Sequence, residues 1–325
     1  MTNLEQHPLL QMSSRRRFLG HMLGATLAAA LIPGCMPAWT DTTRPRRLIV
    51  DSQVHLWNSP WPSPNPQLPE PFTYGKLLPL MDEAGVDRAI VVPPFGPNDY
   101  ALEAASRYPS RFAVMGVLPF TDPRFAVTGV LPAADPQWRD SLPEWKSQPG
   151  MLGIRTVFLG TRAVRLTDGS AAWFWPAAEK ARIPVMFLAV KMGELAPIAE
   201  RHPELVLIID HMGLSGEALR NDPKESLIDT TVSLARFPNV SVKLSGMGAY
   251  SSEPYPWRDM TTYLHRVFDA YGPRRCYWGT DITNSFAKAS YAQRVAHVEE
   301  LPFLSEDDKD WIMGRAIVER LSWKA

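Results

Sequence analysis

Six polar side chains carry the chemistry this chain can be expected to do: Gln53, His55, Arg155, His211, Lys243 and Asp281. Each stands in or just after a short apolar run rich in β-branched residues. A carboxylate such as Asp281 can take a proton from attacking water, a contribution of about 10² to 10⁴ in rate. Imidazoles such as those of His55 and His211 can polarise a carbonyl, hold a water or protonate a leaving alkoxide. Arg155 offers a planar fork that matches an acidic substituent. Lys243 shares a strand face with Ser241 and Ser245, and an inward ammonium needs an anion, expected to be Asp281 or a substrate. Gln53 and His55 lie two residues apart on a strand and project together. Gln53 is expected to bond the substrate or to orient His55. Each residue also has a plainer reading. Asp281 can cap the following helix, a task open equally to Thr283 and Asn284. Arg155 can form an internal salt bridge, and the two histidines can be satisfied core residues.

These groups need elements to position them. Eight runs read as strands: Leu48 to Val54, Arg88 to Val92, Phe112 to Leu118, Gly153 to Phe158, Pro184 to Ala189, Leu205 to Asp210, Val240 to Leu244 and Cys276 to Thr280. Helical segments lie between most of them, as in Lys76 to Ala84, Asp99 to Tyr108, Ala171 to Ala181 and Glu194 to Arg201. Strand and helix in alternation predict a parallel sheet with right-handed crossovers. Eight units at this length predict an α/β fold, a single (β/α)₈ TIM barrel of residues 41–325. The competing fold is an open doubly wound sheet, but no Gly-x-Gly-x-x-Gly follows the first strand. In a barrel five of the six polar residues, His55, Arg155, His211, Lys243 and Asp281, gather at the mouth, where the strands end. Tyr277, Gly279 and Asp281 alternate onto one side, so Gly279 is expected to leave room for a water or substrate. Two proline-rich segments, Asn58 to Phe72 and Thr121 to Pro149, carry Trp61, Trp138 and Trp145 and follow the first and third strands. They read equally as pocket walls or as loops packed on themselves. Glu306 to Trp323 reads as a closing helix.

The motifs carry a resemblance. Asp51-Ser52-Gln53-Val54-His55-Leu56-Trp57, Gly153-Ile154-Arg155, Ile209-Asp210-His211-Met212-Gly213, Val242-Lys243-Leu244-Ser245-Gly246 and Trp278-Gly279-Thr280-Asp281, in that order, are similar to the amidohydrolase superfamily, amidohydrolase 2 branch. The similarity spans about residues 47 to 320. The resemblance implies a lactonase-like hydrolase, with metal-dependent hydrolases and decarboxylases in the same branch. Asp281 would be the general base, His55 and His211 its catalytic partners, and Arg155, Lys243 and Gln53 the substrate-binding set. Two departures stand out. Gln53 replaces the first histidine of the family's His-x-His, and Phe187-Leu188 stands where a fifth-strand histidine would fall. An amide is a poor ligand for zinc-type ions. A metal-free pocket is therefore favoured. A single zinc or manganese on His55, His211 and Asp281 is the alternative, and a barrel that binds a ligand without turnover is a third.

The ends and the composition bound the rest. Ser14-Arg15-Arg16-Arg17-Phe18-Leu19 and the apolar stretch Leu23 to Pro33 resemble a twin-arginine export signal over residues 1–40, implying the export machinery as a partner and a periplasmic or extracytoplasmic destination. Cleavage is expected near Met36-Pro37-Ala38. Ile32-Pro33-Gly34-Cys35 alternatively resembles a lipoprotein site that would tether the protein through Cys35. Cys276 then lacks a partner, so no disulfide framework is expected. Beyond residue 38 the chain has 31 basic and 33 acidic residues, which argues against a nucleic-acid partner. The expected partner is a small acidic molecule. His202, His265 and His297 read as surface or packing residues, and Trp173-Phe174-Trp175 as helix packing. Gly246-Met247-Gly248 is too short for a phosphate loop, and Ser251-Ser252 lacks a base at triad spacing.

Overall fold

Eight parallel strands, each paired with the next in chain order, form the barrel predicted from the alternation. They are β1 (Val50–Val54), β2 (Arg88–Val91), β3 (Phe112–Gly116), β4 (Met151–Phe158), β5 (Val185–Ala189), β6 (Leu207–Ile209), β7 (Val240–Ser245) and β8 (Cys276–Gly279). The computed structural model describes residues 45–59, 71–94, 98–118 and 142–324, except the side chains of Thr161 and Arg162. The export segment, Cys35, Trp61, Trp138 and most of both proline-rich segments lie outside the described residues.

The two faces of the sheet bury separate cores. One core joins the strands to the surrounding helices, with Val54, Phe112, Ile154, Phe187 and Leu207 among its members. The other fills the barrel itself, with Val50, Ile90, Met115, Met186, Ile208 and Tyr277. Trp311, Ile317, Leu321 and Trp323 from the closing segment join this inner core. Each fully buried side chain of this size stabilises by about 1.5–3 kcal/mol. The closing segment is not one uniform helix. Glu306–Asp310 and Ala316–Leu321 flank a π-helical turn, Trp311–Arg315. Gly314 in that turn lies so close to the backbone that a Cβ would sit 2.3 Å from the Leu48 carbonyl oxygen.

The seam between the last strand and the first closes just above β8. There the Asp281 N–H donates to the Gln53 carbonyl at 3.0 Å. The approach is tight. A Cβ on Gly279 would meet Ser52 Oγ at 2.6 Å and Asp51 Oδ1 at 3.3 Å. The space beside Gly279, expected to hold water or substrate, is filled by β1 instead.

The tryptophans nearest the proline-rich segments belong to the core. Trp57 is buried, its N–H bonds to the Phe72 carbonyl at 3.0 Å, and its ring lies 6.0 Å from that of Phe72. Trp145 is buried and donates from Nε1 to the Gly153 carbonyl at 3.0 Å. Phe174 and Trp175 pack edge to face at 5.1 Å within the outer core, as expected for helix packing. His202 bonds Glu179 at 2.9 Å, His265 stacks on Phe303 at 4.4 Å, and His297 packs against Trp257 at 5.2 Å.

Candidate active site

The mouth of the barrel assembles the six residues into two linked groups. The first is a carboxylate between imidazoles. Asp281 follows β8, His55 follows β1 and His211 follows β6. Asp281 Oδ1 lies 3.3 Å from His55 Nε2, and Oδ2 lies 3.8 Å from His211 Nε2. Asp281 is fully buried and His211 nearly so, while His55 keeps 8% of its surface exposed. Asp281 and His211 both adopt positive φ, 47° and 52°, as does Met212 at 55°. Non-glycine residues enter this region at a cost, and such strain concentrates at functional sites.

The hydrogen bonds fix how each ring is turned. His55 Nδ1 lies 2.7 Å from the Val92 carbonyl, which can only accept, so Nδ1 carries a proton. Its Nε2 lies 3.3 Å from Asp281 Oδ1 and 3.4 Å from the Gln53 amide nitrogen. His211 Nδ1 meets Ser245 Oγ at 2.8 Å, which turns Nε2 toward Asp281.

The electrostatics keep Asp281 charged. Burial alone would raise its pKa, but His211, His55 and a 2.7 Å hydrogen bond from Asn284 Nδ2 outweigh it and hold it at about 2. Burial pushes the His211 pKa down to about 4, against the pull of Asp281 and Asp210, so the ring is neutral near pH 7. The helix-cap reading of Asp281 does not describe it. Its side chain makes no capping bond to the 3-10 turn Ile282–Lys288 and binds the Asn284 side chain instead.

The second group is an ion triad centred on a residue to which the sequence reading gave no role. Asp210, fully buried at the end of β6, receives Arg155 Nε at 2.8 Å and Lys243 Nζ at 2.7 Å. Burial works against its charge, yet Lys243 and Arg155 hold its carboxyl well below the usual range. The anion expected to face Lys243 was Asp281 or a substrate; the structure supplies Asp210. The available signal was its place, one residue before His211 at a strand end. Lys243 also donates to Gln53 Oε1, and the Ser52 carbonyl and Met186 Sδ lie 3.3 and 3.2 Å from its Nζ. The amide is thereby oriented, with oxygen toward the ammonium and N–H toward His55. Arg155 spends only Nε on Asp210. Its terminal nitrogens bond no described residue, and the side chain retains slight exposure.

The candidate metal donors that converge here are three, His55, His211 and Asp281. The first-strand position beside them presents amide N–H groups held there by Lys243. On β5, Phe187 packs against Trp175 at 6.1 Å and Phe158 at 5.6 Å in the outer core. No group of three or more His, Cys, Asp or Glu among the described residues has metal-holding spacing.

Comparison with known proteins bears on the fold and the family. Residues 50–317 match the amidohydrolase family, amidohydrolase 2. No curated protein matches the chain at a significant level. Among solved structures, the chain is similar to an amidohydrolase from Burkholderia multivorans with bound zinc, at 21% identity and TM-score 0.68, covering 85% of this chain and 99% of that one. A probable 2-pyrone-4,6-dicarboxylic acid hydrolase from Acinetobacter baumannii, with citric acid bound, matches at 18% identity and TM-score 0.64, covering 84% and 99%. A dihydroxybenzoic acid decarboxylase from Polaromonas sp., with manganese and 2-nitroresorcinol, matches at 15% identity and TM-score 0.59, covering 86% and 98%. At these identities the likeness is one of fold.

Proposed function

The chain belongs to the amidohydrolase family, and on that premise we propose that it hydrolyses a small acidic lactone or similar ester-like carbonyl compound, with Asp281 as general base. One observation carries this reading. A fully buried carboxylate, held ionised, lies 3.3 and 3.8 Å from the Nε2 atoms of two imidazoles at the barrel mouth. Such a carboxylate can accept the proton of attacking water. The His211 ring is neutral. With Ser245 donating to Nδ1, its remaining proton sits on Nε2, where it stabilises charge developing on the carbonyl oxygen. His55, with Nε2 3.3 Å from Asp281 Oδ1, relays the proton that Asp281 has taken from water to the leaving oxygen. The free terminal nitrogens of Arg155 take an acidic substituent as a bidentate pair. The pyrone dicarboxylic acid hydrolase and the bound citric acid among the structural neighbours support an acidic substrate.

The test is hydrolysis of a panel that includes 2-pyrone-4,6-dicarboxylate, dihydrocoumarin and p-nitrophenyl acetate. Asp281→Asn should lower kcat at least 10²-fold, the scale of general-base catalysis, with an unchanged circular dichroism spectrum. Wild-type turnover in that variant removes Asp281 from the mechanism. Binding without Asp281-dependent turnover identifies a ligand-binding barrel, and release of carbon dioxide from a panel acid identifies a decarboxylase. Elemental analysis of protein purified without chelator should find no stoichiometric zinc or manganese. One equivalent of either, with activity lost on its removal, overturns the metal-free reading.

A further inference from the structure

We propose that Asp51, a residue outside the catalytic and binding sets, is the positioning residue that sets the backbone turn presenting Asp281 to His55. The inference rests on the reading of Asp281 as general base and deepens it. Asp51 is fully buried on β1, two residues before Gln53. Its carboxylate accepts four hydrogen bonds. Oδ1 takes the Gln53 N–H at 3.0 Å and the Thr280 N–H at 2.8 Å. Oδ2 takes the Thr280 hydroxyl at 2.5 Å and the Tyr291 hydroxyl at 2.7 Å.

Two of these donors belong to Thr280, the residue immediately before Asp281. The Thr280 hydroxyl in turn accepts the Ile282 N–H at 3.2 Å. The residues on both sides of Asp281 are therefore pinned through one carboxylate, while its own N–H is held by the Gln53 carbonyl at 3.0 Å. Asp281 itself sits at φ 47°. An aspartate enters that region only against a steric penalty, and it stays there when the surroundings over-determine it. Asp51 supplies that over-determination. The same carboxylate fixes the Gln53 backbone, so one group registers the amide, the base and the seam between β8 and β1. The absence of a Cβ at Gly279 permits the approach.

A group acting in this way changes kcat through geometry, and a misplacement of about 1 Å can cost about 10²-fold. The experiment compares Asp51→Asn, Thr280→Val and Tyr291→Phe with Asp281→Asn on a panel lactone turned over by the wild-type protein. Asp51→Asn keeps one oxygen for the two backbone N–H groups but removes the second acceptor, so the Thr280 and Tyr291 hydroxyls lose the oxygen they donate to. Thr280→Val keeps the shape and deletes the hydroxyl relay. Both should fold and lose at least tenfold in kcat with KM within threefold, and Tyr291→Phe should lose less. Their crystal structures should show Asp281 displaced from its position 3.3 Å from His55. Wild-type kcat in folded Asp51→Asn or Thr280→Val, or a loss confined to KM, overturns the proposal. Failure of all three to fold overturns it as well, because Asp51 would then be a folding residue. Wild-type turnover in Asp281→Asn instead sinks the base assignment, whatever the Asp51 variants do.

Discussion

Replacing Asp210 by asparagine leaves two buried cations facing each other without their anion. Arg155 Nε and Lys243 Nζ now lie 2.8 and 2.7 Å from that carboxylate, and neither Asp210 nor Lys243 has any exposed surface. Breaking a buried ion pair by removing one partner costs about 3–5 kcal/mol. For a barrel of this size each kcal/mol moves Tm by about 2–4 °C, so the melting temperature should fall by roughly 6–20 °C. The pH dependence has a definite sign. The folded pKa of Asp210 is depressed, so its stabilisation is complete above the unfolded value of about 4. Below that pH the unfolded chain takes up a proton that the folded carboxylate refuses, and the gap between wild type and variant narrows. Thermal unfolding followed by circular dichroism between pH 3 and 8 measures both effects. Adding Lys243→Met should recover part of the lost stability, because the unpaired charge is the main cost. It should not recover turnover, because Gln53 loses the ammonium that orients it. An Asp210→Asn protein melting within about 2 °C of wild type at pH 7 would refute the argument.

Other expectations follow from the same contacts. Burial holds the His297 pKa at about 4 against 6.5 when unfolded. Between these values the unfolded chain binds a proton that the fold rejects, so stability drops by about 2 kcal/mol at pH 5 for this residue. His297→Gln should flatten the difference between urea unfolding at pH 7.5 and pH 5, and an unchanged difference would contradict it. Arg155→Lys offers one ammonium for both Asp210 and the substrate. KM for an acidic substrate should rise at least tenfold with a smaller change in kcat, in steady-state assays; an unaltered KM would place the substrate elsewhere. If residues 1–40 direct twin-arginine export, Arg15→Lys with Arg16→Lys should retain the protein in the cytoplasm on cell fractionation. Normal export of that double variant rejects the signal.

The linear chain determined the order of the elements and the membership of the mouth. All eight predicted strands exist, each end matching or displaced by at most two residues, because β-branched apolar runs between helical segments bury both faces in a parallel sheet. Gln53 and His55 were placed side by side by strand periodicity alone. His211 and Asp281 were recognised as strand-end groups, yet their left-handed backbones were not, since that conformation is imposed by neighbours remote in sequence. Pairing was the part only the tertiary structure could decide. Asp210 joins Arg155 and Lys243 across 55 and 33 positions of chain, and Asp51 reaches Thr280 across 229. Buried charges must find partners wherever the fold brings them within hydrogen-bonding distance. Periodicity shows which way a side chain faces, but not which group it meets on the opposite side of a closed barrel.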